Sequence, residues 1–130
     1  MPMREYRFRG FGTSIRKWYE GSLIIDDDPS HIDHPVRISN HGSYVTVDPG
    51  SVGQFTGRTD RDGKPIYEGD ILEICNGSIN RIPLVSQITV RWNEQMTCFN
   101  VPAFSAFVDD THWYRVIGCA YRGADEESRC

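Results

Sequence analysis

Apolar and polar positions alternate with a period of two over much of this chain. Tyr6 and Phe8 interleave with Glu5, Arg7 and Arg9. A strand here sets the two rings on one face and the charges on the other. Gly10 and Gly12 then break the run. Trp18 to Ile25 reads as a turn leading into a short strand, and residues 26–35 as a polar loop. Val36–Ser39 is a weak strand, Asn40-His41-Gly42-Ser43 a hairpin turn and Tyr44–Val47 a strand rich in β-formers. Gly53 to Gly63 reads as loop, with the turn signals Asp62-Gly63 and Glu68-Gly69-Asp70 after it. Ile71, Leu72 and Ile74 form the next strand, and Asn76-Gly77 marks a turn. Pro83 to Trp92 alternates around Ile88, Val90 and Trp92, with Met96–Val101 as its return partner. Phe104–Val108 is ambiguous. Trp113–Tyr121 is a final strand with a glycine inside it.

No segment of twelve or more residues carries a 3.6-residue apolar period. Short, closely spaced strands punctuated by Gly and Pro predict a mainly β protein with little helix, built as a small barrel with extra hairpins. At 130 residues the chain is expected to form a single domain over 1–121, followed by a polar tail at 122–130. The expected core is Phe8, Leu23, Ile66, Tyr67, Ile71, Ile74, Val90, Trp92, Phe99, Val116 and Ile117.

Composition narrows the function more than it names one. A net charge of -4 argues against a protein that coats phosphate non-specifically. No apolar run approaches the length of a membrane span, and the first residues lack a signal-peptide core, so a cytoplasmic location is expected. Cys75, Cys98, Cys119 and Cys130 contain no C-x-x-C pair. In a reducing compartment they read as free thiols, the first three as small core residues.

Candidate chemistry is sparse. Asp60 and Asp62 with Gly63 resemble part of a calcium loop, but the twelfth position counted from Asp60 is Ile71, and from Arg58 it is Gly69, where a glutamate is needed. His31, Asp33 and His34, downstream of Asp26–Asp28, have ligand types but read as a solvated acidic loop. His41 and His112 have no carboxylate or thiol neighbour in sequence. No nucleophile elbow and no Gly-rich phosphate loop is present. No catalytic, cofactor or metal residue is therefore assigned, and no enzyme is expected. Arg7, Arg9, Lys17 and Trp18 are the one grouping suited to nucleic acid, because cations beside aromatics favour stacking on exposed bases.

Three blocks carry a family resemblance. The first is Arg4–Arg9 with Lys17-Trp18. The second runs from Gly53-Gln54-Phe55-Thr56-Gly57 through Asp60 and Asp62-Gly63-Lys64 to Ile66-Tyr67-Glu68-Gly69-Asp70-Ile71. The third is Tyr114–Tyr121. The middle block is the specific one, because many positions agree at fixed spacing. Together they resemble the YopX-like proteins, a family of small bacteriophage and prophage proteins. The resemblance implies a compact β-rich fold with an SH3-like barrel and a phage or prophage setting. It supplies no activity to carry over. Physically, the middle block reads as a folding motif, with Gly57 and Gly63 supplying positive φ or close backbone approach, Asp60 and Asp62 bonding nearby amides, and Gly69-Asp70 turning the chain. The expected role is a non-catalytic module binding a host or phage protein. The alternative is a nucleic-acid-binding β-barrel.

Overall fold

The computed structural model describes residues 6–26, 36–102 and 110–121. The expectations for Arg4, for residues 27–35, for Phe104–Val108 and for the tail at 122–130 lie outside these residues. The strands are β1 (Phe8–Phe11), β2 (Trp18–Ile25), β3 (Val36–Asn40), β4 (Ser43–Thr46), β5 (Gly53–Thr59), β6 (Pro65–Tyr67), β7 (Asp70–Ile79), β8 (Ile82–Thr89), β9 (Trp92–Asn93), β10 (Cys98–Phe99) and β11 (His112–Cys119). The protein is mainly β, as the alternation predicts. Among the described residues none of its antiparallel sheets closes into a barrel. No described helix is long and apolar enough to cross a membrane.

The chain forms two compact units, one of Met1–Phe55 with Tyr121–Cys130 and one of Thr56–Ala120. In the first, the strands lie in the order β4-β3-β2-β1-β5. β3 and β4 are joined through His41 and Gly42, both at positive φ (49° and 83°), the geometry of a two-residue hairpin turn. Phe11, Ile38, Val47 and Phe55 are buried. Phe8 and Leu23, expected in the core, are only half-buried.

The second unit contains a sheet in the order β11-β7-β8. Its core joins Ile66, Leu72, Ile74, Val90, Tyr114 and Val116, with Ile88, Phe99 and Val101 packed against it. Tyr67 is buried as expected and Ile71 half-buried. Two expected core residues are exposed. Ile117 is the extra residue of a bulge, since Val116 opposes Leu72 and Gly118 opposes Ile71. Trp92 follows the buried Val90 and sits on a two-residue ladder, where the Phe99 ring meets it edge-on at 5.1 Å.

Three other expectations need correction. Gly53–Gly63 is not all loop, because β5 occupies Gly53–Thr59. Two glycines disguise it, and one of them, Gly57, has φ 87°. Asn76-Gly77 is a bulge inside β7, and the turn falls at Asn80-Arg81 instead. Of the Met96–Val101 segment only Cys98–Phe99 pairs, with Trp92–Asn93 rather than β8.

The cysteines divide. Cys75 is buried and free, whereas Cys98 is free but exposed on the short β10. Cys119 is buried and disulfide-bonded, which corrects the free-thiol expectation for it.

Candidate interaction surfaces

Asp60 organises the middle block. It is almost fully buried. Its Oδ1 accepts from the amides of Asp62 and Lys64, each at 2.9 Å, and its Oδ2 accepts from the Val116 amide at 2.9 Å. A buried carboxylate stays tolerable only when such donors replace its water. Asp62 behaves differently from the expectation that it bonds backbone. It is exposed and pairs with Arg115 at 3.1 Å. Asp70 is also buried, and its Oδ2 accepts from the Tyr67 amide at 2.8 Å. Around it, the Gly69 amide donates to the Val90 carbonyl and the Val90 amide to the Asp70 carbonyl, both at 2.8 Å. Gly69 has φ 92° and Gly63 φ 80°, as the turn assignment requires. The two buried aspartates, Asp60 and Asp70, therefore tie turns and strands together.

The same turn covers one edge of the second unit's sheet. The Arg61 amide donates to the Tyr114 carbonyl on β11 at 3.1 Å, beside the Asp60–Val116 bond. The Arg61 and Arg115 guanidiniums lie 4.9 and 5.5 Å from the Trp113 ring centre, and Arg58 donates to the Pro102 carbonyl.

The opposite edge, β8, differs. Six of its eight residues are exposed, and no strand among the described residues pairs with its outer side. Its sequence, Ile82–Thr89, contains no charged residue. Ile82 is 67% exposed, Leu84 45% and Val85 50%, with Ile79 of the same hairpin at 61%. The sequence pattern placed Val90 and Trp92 of this segment in the core and assigned no surface to Ile82, Leu84 and Val85. The signal it missed was a strand-length stretch without a single charge.

In the first unit the expected basic group is assembled in part. Arg7 lies 4.7 Å from the Phe55 ring centre, Arg9 5.1 Å from Trp18 and Arg16 5.4 Å from Phe11. Lys17 is exposed beside them. Trp18 meets Tyr121 and Phe11 edge-on at 5.5 and 5.7 Å. A base stacking on Trp18 must therefore compete with Arg9. Tyr121 donates its hydroxyl to Asp48 Oδ2 at 2.7 Å. Burial, together with this carboxylate, pushes its pKa up to about 12. Burial also raises Tyr114, with the Arg58 charge opposing.

The histidines stay apart. His41 is in the β3–β4 turn, and His112 on β11 meets the Thr111 hydroxyl at 3.0 Å. Asp26 pairs with Arg37 at 3.3 Å. His31, Asp33 and His34 lie outside the described residues. Among those described, no three His, Cys, Asp or Glu residues gather as a metal site.

Among the described residues, open antiparallel sheets, buried aspartates and an unpaired, largely apolar edge define a mainly β protein. The chain belongs to the YopX family: the family model described as "YopX protein" matches residues 7–123. No curated protein matches it.

Proposed function

We propose that this chain is a non-catalytic interaction module of a phage or prophage, acting in the bacterial cytoplasm on a host or phage protein. The observation that supports the reading best is β8, an exposed edge strand with apolar side chains and no charge. Edge strands of soluble proteins are ordinarily blunted by charge, shortness or a cover. One that is left open accepts an extended segment by strand addition, with main-chain bonds for affinity and side-chain pockets for selectivity. The SH3-like character implied by the family belongs to the same proposal. Its support is the bulges at Gly77 on β7 and Ile117 on β11, which bend a sheet toward closure.

The cytoplasmic setting bears on Cys119. A reducing cytosol keeps most thiols open. Intact-mass measurement of thiol-blocked protein from cells tests the setting: a closed disulfide there counts against it.

A photo-crosslinker placed at Val85, used in nuclease-treated bacterial lysate, tests the function. A discrete protein adduct that disappears with Leu84→Lys is the expected result. Absence of any adduct contradicts it. The second reading, nucleic-acid binding, draws on the guanidinium row Arg7, Arg9 and Arg16 with Lys17 and Trp18. It gains if untreated lysate yields nucleic acid whose retention falls steeply with salt.

A further inference from the structure

We propose that β8 pairs with β8 of a second copy of this chain, antiparallel, about a two-fold axis through Ser86. The inference rests on the reading of β8 as an interaction edge and names the occupant.

The β7 sheet has two outer edges, and among the described residues only one is covered. On β11 the signature turn already occupies the Tyr114 carbonyl and the Val116 amide. On β8 the available stretch has two fixed ends. Pro83 closes one, because it has no N–H to donate. Asn100 closes the other, its Nδ2 donating to the Thr89 carbonyl at 3.0 Å. Leu84–Ile88 remains between them, and its midpoint is Ser86.

Strand geometry then sets the register. The Thr89 carbonyl is bonded on the side away from β7. By alternation, the amides and carbonyls of Gln87 and Val85 also point outward. A two-fold axis relating antiparallel strands of one sheet is perpendicular to that sheet, so it keeps each face on its own side. With the axis at Ser86, Val85 of one copy exchanges both main-chain bonds with Gln87 of the other. Leu84 of one copy then stands opposite Ile88 of the other.

That pairing continues the core. Leu84, Ser86 and Ile88 lie on one face of β8, and Ile88 opposes Leu72, which opposes Val116. The apolar row Val116–Leu72–Ile88 gains Leu84 of the second copy as its next member. Moving the axis to Gln87 sets Ser86 against Ile88 and loses this match. The absence of charge makes the strand self-compatible, since like charges directly opposite each other oppose pairing.

Sedimentation equilibrium from micromolar to millimolar protein tests the proposal. The background carries Cys98→Ser, so that the exposed thiol does not crosslink copies. Ser86 is exposed, so Ser86→Lys and Ser86→Asp are expected to fold, which circular dichroism checks. The parent should show a monomer–dimer equilibrium. Each variant alone should associate roughly fivefold or more weakly, because it sets two like charges opposite each other on the axis. An equimolar mixture of the two should recover association. A parent that stays monomeric at millimolar concentration overturns the proposal, as does a dimer indifferent to both substitutions or a mixture that fails to recover. If the parent is monomeric while the Val85 crosslinker still captures a protein, self-pairing is wrong and the interaction reading stands. If it is monomeric and nothing crosslinks, both fall.

Discussion

The two edges of the second unit's sheet are built in opposite ways. At β11 the edge amide of Val116 and the carbonyl of Tyr114 are taken by Asp60 and Arg61, and two guanidiniums lie over Trp113. At β8 no side chain is charged, six of the eight are exposed, and the apolar Ile82, Leu84 and Val85 are among them. Hydrogen-bond satisfaction governs the first edge, so it tolerates little change. At the second edge the Asn100 side-chain amide bonds the Thr89 carbonyl, and no strand among the described residues pairs with its outer side. Asp60, in the middle block that resembles the family, sits at the closed edge and helps to build it.

The strongest way to break this comparison is at Asp60. Asp60→Ala leaves three amides, that of Val116 buried, without their acceptor and should cost about 3–5 kcal/mol, a large part of the stability of a small domain. Urea denaturation followed by circular dichroism reads this as a large drop in midpoint. A midpoint close to the parent's removes Asp60 from its organising role. Next comes Gly69→Val. A β-branched residue at φ 92° is strained, and the loss should be about 1–3 kcal/mol. An unchanged melting temperature contradicts the turn assigned there.

Alkali separates the two kinds of region without mutation. Burial and the Asp48 bond raise Tyr121 from 10.0 to about 12. Between those values the unfolded chain has released this proton while the native protein still holds it. Its contribution is therefore complete below pH 10 and is lost as pH rises toward 12. Tyr114 is raised as well and acts in the same direction. Tyr121→Phe should flatten part of the decline in stability above pH 10, which denaturation midpoints across that range measure. β8 has no titratable side chain, so substitutions there should leave the slope unchanged. The smallest expected effect is Leu84→Ser, within about 0.5 kcal/mol of the parent, as for an exposed position outside the core. A loss as large as that of Gly69→Val means that Leu84 is part of the core.

Much of the closed region was legible in the sequence. Asp60, Gly63, Gly69 and Asp70 are turn residues at fixed spacing, and such residues report local backbone geometry that a sequence encodes directly. What Asp60 bonds across the fold, the Val116 amide, is a long-range fact that no local pattern carries. The strand β5 was hidden for a related reason: its glycines at 53 and 57 suit a loop equally well in one dimension. Ile117 and Trp92 were misplaced because alternation counts residues, whereas a bulge adds one and a short ladder ends early. Arg7, Arg9, Lys17 and Trp18 could be grouped from their nearness in sequence. The packing of Arg9 on Trp18 could not. The β8 edge was the least legible, because exposure of an apolar strand depends on which neighbours it lacks.

Amide hydrogen exchange resolved by residue, at low and high protein concentration, tests the contrast most directly. The amides of Asp62, Lys64 and Val116, bonded to the Asp60 carboxylate, should exchange slowly at every concentration. The outward amides of Val85 and Gln87 should exchange fast in dilute solution and slow down as concentration rises, while Ser86 and Ile88, bonded to β7, stay protected. The contrast between a closed folding edge and an open working edge fails if the Val85 and Gln87 amides are already protected at high dilution, or if the three signature amides exchange as fast as they do.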